Sequence, residues 1–286
     1  MEIEVYYMSG AGNLFTFLDN RKYCLSNDFL SSISPFLCGN EGNEKITDGL
    51  VALSASADCD FQVDFFNPDG SFGALCGNGA RCAIRFAERF FDLKKEKNVC
   101  FSQLNEKYFG DILDKTIKVY LPAPKQIIKE IAFEIFNQKI TGTFLDLGAR
   151  HIVINYEEIK NFFISNNFHT FDLNKIAVPI RNMYLFSPLG VNVNIYREIA
   201  DSQSELRTFE KGVERETAAC GTGAISTALT SNLHSCAKFP IEVIPKSRSV
   251  LKIDLLLNEE KSISKISLEG EAVFLNSKQI VINYGR

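Results

Sequence analysis

The feature that most constrains this chain is a five-residue signature that occurs twice. Cys76-Gly-Asn-Gly-Ala80 and Cys220-Gly-Thr-Gly-Ala224 share the pattern Cys-Gly-x-Gly-Ala. Their surroundings match as well. The first follows Phe66-Asn-Pro-Asp-Gly-Ser-Phe-Gly-Ala-Leu, and the second follows Phe209-Glu-Lys-Gly-Val-Glu-Arg-Glu-Thr-Ala-Ala. Each reads as a strand, a turn-rich loop and the opening of a helix. A single Gly-x-Gly says little. Two copies in the same context argue for two similar halves, each presenting one cysteine at a helix start.

The rest of the pattern agrees with sheets around a few buried helices, an α+β fold. Asp60 to Phe65 alternates, with Phe61, Val63 and Phe65 on one face, and Leu251 to Leu257 alternates in the same way. Phe144 to Asn155, Val191 to Tyr196 and Val273 to Ile282 also read as strands. Helical spacing places Ala80, Ala83, Ile84, Ala87 and Phe91 on one face of a helix over Gly79 to Leu93. A second helix is predicted from near Gly221, with Ala224, Ile225, Ala228 and Leu229 as its apolar stripe. Leu121-Pro-Ala-Pro-Lys125 reads as a linker, because two close prolines break both helix and central strand.

A cysteine at a helix start is a chemical device. The first turn has unbonded N–H groups and the positive end of the helix dipole, both of which favour the reactive thiolate. Gly77, Asn78, Gly221 and Thr222 are therefore candidates to bind a carboxylate through the backbone. With the two starts face to face, one thiolate removes the proton of an α-carbon and the opposite thiol returns one to the other face. The dipoles stabilise the charge that builds on the carboxylate, so no pyridoxal cofactor is required. The bland alternative is that both sites are helix caps over buried cysteines. Glycine-rich context, which exposes a helix start, speaks against it.

Other chemistry finds less support. The net charge of −4, without a long run of one sign, gives no sign of a nucleic-acid or polyanion partner, and none is expected. The acidic, alternating start lacks the basic and apolar regions of a signal peptide, and no apolar run is long enough to span a bilayer, so a cytoplasmic protein with no membrane partner is expected. With eight cysteines, no C-x-x-C pair and three histidines, a structural zinc site is not expected and neither is any other metal. All thiols are expected to be reduced. Cys82, His169 and His234 are read as packing or structural residues.

These motifs resemble the diaminopimelate epimerase family of the proline-racemase-like group, along nearly the whole chain. Besides the two cysteine blocks, Ser9-Gly-Ala-Gly-Asn13-Leu-Phe looks like the family's N-terminal motif, and Asn192-Val-Asn-Ile resembles its Asn-Val strand. The resemblance implies two pseudo-symmetric domains, each a mostly antiparallel sheet wrapped around a central helix, with the active site in the cleft between them. It implies that the last strand returns to the first half, giving residues 1–121 with 272–286 and residues 122–271. It implies a cofactor-independent isomerase interconverting LL- and meso-diaminopimelate for lysine and peptidoglycan synthesis, with Cys76 and Cys220 as base and acid. By the same match Asn13, Asn67 and Asn192 bind the polar groups of the amino-acid substrate, and His151 and Glu210 lie beside the cysteines and tune them. A homodimer would be in keeping with the family.

Three positions depart from the family pattern. Gly148-Ala-Arg-His151 replaces Gly-Asn-Pro-His, so Ala149 supplies no side-chain amide and Arg150 adds a cation. Lys211 stands where the family carries arginine, keeping the charge but not the bidentate grip on a carboxylate. All three bear on the far end of the substrate, so a racemase or isomerase of another amino acid is the main alternative. A thiol oxidoreductase cycling the two cysteines, or an amino-acid-binding module without chemistry, would be a different class. The missing C-x-x-C argues against the first, and the ease with which exposed thiols oxidise argues against the second.

Overall fold

The computed structural model describes residues 1–39, 46–73, 76–93, 96–163 and 167–282 of the chain. Two compact units emerge, Met1–Tyr120 with Glu269–Arg286, and Leu121–Leu268. The division falls between Tyr120 and Leu121, at the start of the Leu121–Lys125 stretch, whose first two residues belong to a strand.

In the first unit the chain runs β1 (Glu2–Gly10), β2 (Asn13–Asp19), α1 (Asn27–Leu37), β3 (Leu50–Ser54), β4 (Phe61–Phe66), β5 (Phe72–Gly73), α2 (Gly77–Phe90), β6 (Val99–Gln103), β7 (Glu106–Ile112) and β8 (Thr116–Pro122). The second unit holds β9 (Gln126–Ile135), β10 (Gln138–Asp146), β11 (Arg150–Asn155), α3 (Tyr156–Ile159), α4 (Leu173–Arg181), β12 (Asn192–Ala200), β13 (Gln203–Glu210), β14 (Arg215–Glu216), α5 (Gly221–Ser235), β15 (Ile241–Ile244), β16 (Leu251–Leu257) and β17 (Ile263–Glu271). The last strand, β18 (Val273–Val281), returns to the first unit and pairs antiparallel with β1, Glu2 opposite Val281.

The two units repeat one topology. In the first, β1 pairs antiparallel with β2, β2 parallel with β3, β3 antiparallel with β4, and β4 parallel with β6, which continues antiparallel into β7. In the second, β10, β11, β12, β13, β15 and β16 follow the same succession of antiparallel and parallel pairs. The registers correspond: Phe66 lies opposite Leu50 and Phe72, as Phe209 lies opposite Val193 and Glu216. Each parallel step is a crossover, and the second crossover of each unit carries the long helix. α2 packs on β1, β2, β3, β7 and β18, and α5 packs on β11, β12, β13, β15 and β16.

Burial explains why these helices sit in the middle. α2 buries the continuous run Gly77 to Ile84, together with Phe86 and Ala87. Phe86 stacks on Phe17 with ring centroids 5.2 Å apart. α5 buries Gly221 and then every residue from Gly223 to Ser231. A separate cluster in this unit, which includes Phe144, Ile154, Phe186 and Phe209, packs with Ile176 and Ile180 of α4. Apolar area of this extent is the main driving force holding each unit together.

Three expectations are corrected. The first helix begins at Gly77 rather than Gly79 and ends at Phe90 rather than Leu93, because Cys76 serves as its N-cap and Asp92 takes a left-handed φ of 50°. The run Phe144 to Asn155 is not one strand. Gly148, at φ 88°, folds it into a hairpin that sets Asp146 opposite Arg150. Alternation continues on both sides of the turn, so periodicity alone does not reveal it. Finally, not every thiol is reduced: Cys59 and Cys100 form a disulfide with Cα atoms 5.0 Å apart. Parallel pairing of Phe61 with Phe101 places them side by side, a proximity that no sequence spacing shows. The other six cysteines carry no disulfide.

No helix among the described residues is long and apolar enough to cross a membrane. The start of α2 lies tight against the end of β1. A Cβ added at Gly10 would stand 2.6 Å from the Asn78 carbonyl oxygen and 3.0 Å from Cys82 Sγ. Neither backbone can yield without shifting the helix start. Gly10→Ala is expected to destabilise the protein by about 1–3 kcal/mol in urea unfolding, and to lower activity by more than that stability loss explains.

Candidate active site

Both signature cysteines cap their helices with sulfur. Cys76 has extended backbone angles (φ −75°, ψ 162°), and its Sγ accepts the Gly79 N–H at 3.4 Å. Cys220 does the same for α5, accepting the Gly223 N–H at 3.4 Å. Serine, threonine, aspartate and asparagine are the favoured caps, because oxygen accepts these bonds better. A sulfur cap at both starts gives up capping strength and places a thiol in the field of the helix dipole. Cys76 is exposed, whereas Cys220 is buried at 8% exposure. Ala74 and Leu75, which lead into Cys76, lie outside the described residues.

At the first helix start a polar chain runs through Asn78. Its Nδ2 donates to Asn13 Oδ1 at 2.6 Å, and its Oδ1 accepts from Arg81 at 2.8 Å. Asn13 in turn donates to Asp48 at 3.1 Å. Both asparagine amides are thus held in one orientation, with Asn13 opening β2 and Asn78 in the first turn of α2. Asn67 ends the β4 arm and donates to Ser71 Oγ at 2.9 Å across the loop that leads to Cys76. Gly77 and Asn78 are buried.

The second helix start has a different lining. Thr222 Oγ1 lies 3.5 Å from Cys220 Sγ and 2.9 Å from His151 Nε2. On its other side His151 Nδ1 meets the Asn194 amide nitrogen at 3.0 Å. That nitrogen also points at the carbonyls of Ile152 and Asn192, which fixes it as the donor. His151 Nδ1 is therefore an acceptor, and its proton sits on Nε2, directed at Thr222. His151 is fully buried, and burial pushes its pKa down to about 4, so it is neutral at physiological pH. Thr222, with its acceptor sites and one rotatable hydroxyl hydrogen, can accept a hydrogen bond from a Cys220 thiol or donate one to a Cys220 thiolate. Thr222 thus links His151 to Cys220.

The remaining predicted residues also find definite places. Asn192 is buried, donating to the Arg150 carbonyl at 3.1 Å and accepting the Lys211 N–H at 2.8 Å. It ties the β10–β11 hairpin to the loop after β13. The Lys211 side chain is exposed. Glu210 is half-buried and accepts the Thr217 hydroxyl. Arg150 is not spent on solvent: it donates to the Phe186 carbonyl at 3.3 Å and lies 5.1 Å from the Phe144 ring centroid. Gly221 opens α5 and is buried.

Sequence reasoning passed over Asp48, Arg81, Asn194 and Thr208. Asn194 accepts from Thr208 at 3.0 Å while it orients His151. A Cβ at Gly223 would lie 2.5 Å from Asn194 Oδ1, so the second glycine of the signature is required by this network. The alternation of β12 was the available signal: Asn194 shares a face with Asn192.

Solved structures of similar shape fix the class of fold. A probable proline racemase from Agrobacterium radiobacter K84 aligns with a TM-score of 0.70 over 98% of this chain and 93% of its own, at 12% identity. A phenazine biosynthesis protein of the PhzF family from Bacillus anthracis aligns with a TM-score of 0.69 over 99% and 100%, at 14% identity. The architecture is thus the two-unit fold of the proline racemases and PhzF proteins. The sequence profile of diaminopimelate epimerase matches residues 5–108. The diaminopimelate epimerase of Aquifex aeolicus is 31% identical over 268 residues, 88% of this chain and 90% of that protein. That of Chlamydia trachomatis is 30% identical over 286 residues, 97% and 91%. The chain belongs to the diaminopimelate epimerase family and is an isomerase.

The neutral His151 has a consequence for stability. Its folded pKa lies below the ordinary 6.5, so the unfolded chain binds the extra proton between those values. The contribution of His151 to the unfolding free energy is expected to be fully present above pH 6.5, to decline as pH falls towards about 4, and then to level off. His151→Gln is expected to flatten that slope in denaturant titrations run at several pH values.

Proposed function

We propose that this protein interconverts LL- and meso-diaminopimelate by two-base catalysis, with Cys76 and Cys220 acting on opposite faces of one α-carbon. The observation that carries the reading is the pair of sulfur caps, each accepting a first-turn N–H from its own helix. The substrate's α-carboxylate takes the N–H groups of Gly77, Asn78, Gly221 and Thr222, which have no partner within their helices. One thiolate removes the α-proton, and the electron pair moves into the carboxylate, where the helix dipoles stabilise it. The opposite thiol releases its proton to the other face of the carbon. Thiol and thiolate have then exchanged places, and the reverse reaction restores them. The carbanion is held by the helix starts, so the proposal needs no pyridoxal cofactor.

The polar networks support these roles. Thr222 serves Cys220 in both protonation states, as a group that changes state in every turnover requires. Asn13 and Asn78 present amides held by Asp48 and Arg81 for the substrate's polar groups. Glu210, oriented by Thr217, follows Phe209 as Asn67 follows Phe66 in the first unit. The activity would supply lysine and peptidoglycan synthesis in the cytoplasm.

A racemase of another amino acid is the second reading, and one observation favours it. Arg150 is engaged with Phe186 and Phe144, Ala149 has no amide, and the exposed Lys211 is bonded through its backbone. The distal amino-acid group of diaminopimelate would thus find fewer fixed donors than in relatives with asparagine and arginine.

Purified reduced protein supplied with LL-diaminopimelate is expected to form the meso isomer, and Cys76→Ser and Cys220→Ser are each expected to slow this by at least about 100-fold. Conversion of another amino acid with none of diaminopimelate would move the substrate and keep the chemistry. Full activity in either serine variant would remove the proposal.

A further inference from the structure

The two half-sites differ in one respect that the repeat does not predict. Five residues after Cys76 stands Arg81, and five residues after Cys220 stands Ile225. Both side chains are fully buried. A guanidinium at zero exposure is costly unless negative charge lies near it. Among the described residues no carboxylate is bonded to Arg81. It donates to the first turn of its own helix, to the Gly77 carbonyl at 3.4 Å and Asn78 Oδ1 at 2.8 Å, while its Nε has no hydrogen-bond partner.

The neighbouring acids do not fill the gap. Burial pushes Cys82 up to about 12, so it stays a neutral thiol. On the elements packed against α2, Glu4 of β1 meets Lys22 and Tyr6, and Asp19 of β2 meets Arg21. Asp48, just before β3, is taken by Asn13 and the Leu14 N–H. On β7, Asp111 accepts from Tyr120 and the Asn98 N–H. Glu2, Glu106, Lys107 and Lys278 are exposed to water. Burial lowers the Arg81 pKa to about 10, still well above neutral, so the charge remains.

We propose that Arg81 is a positioning residue whose buried charge makes Cys76 the thiolate of the resting pair, leaving Cys220 as the thiol. This rests on the two-base reading above and assigns its starting state. Cys76 combines a helix start, exposure to water and a permanent cation whose guanidinium reaches back to the adjoining Gly77 carbonyl at 3.4 Å. Cys220 has a helix start and a neutral hydroxyl, while its burial opposes charge. A full charge screened little by water outweighs a hydroxyl dipole. In the resting form Cys76 therefore takes the α-proton and Cys220 gives one up. Arg81 also holds Asn78, so the same side chain fixes an amide beside the thiolate.

The test is thiol ionisation, read as the pH profile of alkylation by iodoacetamide at each cysteine, with peptides resolved by mass spectrometry. Cys76 is followed in Cys220→Ser protein and Cys220 in Cys76→Ser protein, which separates the two titrations. The Cys76 midpoint is expected below the Cys220 midpoint. In Cys220→Ser protein, Arg81→Met is expected to raise the Cys76 midpoint by about one pH unit or more, and Arg81→Lys to restore most of the shift. A Cys220 midpoint at or below that of Cys76 would overturn the proposal, as would an unmoved Cys76 profile in folded Arg81→Met. If Arg81→Met does not fold, the first comparison decides alone. Alkylation reports ionisation without substrate, so this result stands apart from any failure to epimerise diaminopimelate.

Discussion

The unsatisfied N–H groups at the start of a buried helix are the constraint on which this structure depends. A helix that ends inside a protein must have its first donors met by something. Here a sulfur meets one of them at each of the two long helices α2 and α5, and on the proposed reading the remaining donors serve the substrate's carboxylate. Glycine on both sides of Asn78 and Thr222 keeps that first turn bare, and Gly223 also keeps Asn194 close. Strong oxygen caps would serve stability better. Their absence at two equivalent places is a compromise between folding and chemistry of the sort that marks an active site.

Around that constraint the fold is a duplication with unequal furnishing. Strand order, parallel steps and crossover helix repeat, and Phe66 and Phe209 occupy the same node of the two sheets. The polar groups do not repeat. The first start is backed by Asn13, Asp48 and a buried arginine, and the second by a neutral histidine acting through a threonine. The backbone supplies two like helix starts, and the side chains around each thiol are unlike.

How much of this the sequence reveals follows from which interactions are local. The repeated Cys-Gly-x-Gly-Ala names both helices, both thiols and the duplication, because caps and glycines act within a few residues. The turn at Gly148 is hidden, since alternation is the same on either side of it. The Cys59–Cys100 disulfide is hidden too, since it depends on β4 lying parallel to β6. Asp48 and Asn194 escape notice for the same reason: each acts on a residue of another element. Arg81 is the instructive case. Helical spacing places it among polar residues, yet it is fully buried, because the central position of α2 leaves little of the helix facing water.

The central claim is that two different groups handle the two faces of the α-carbon, and solvent isotope at early times tests it most directly. LL-diaminopimelate is offered in heavy water, and product and remaining substrate are analysed before equilibrium. A thiol exchanges its proton with solvent, so the group that donates carries deuterium, while the base returns the proton it took only to the face it came from. The account predicts one deuterium at the inverted carbon of the product and little in the recovered substrate. Deuterium entering substrate and product at equal early rates would mean that one group serves both faces, and would contradict the two-cysteine mechanism.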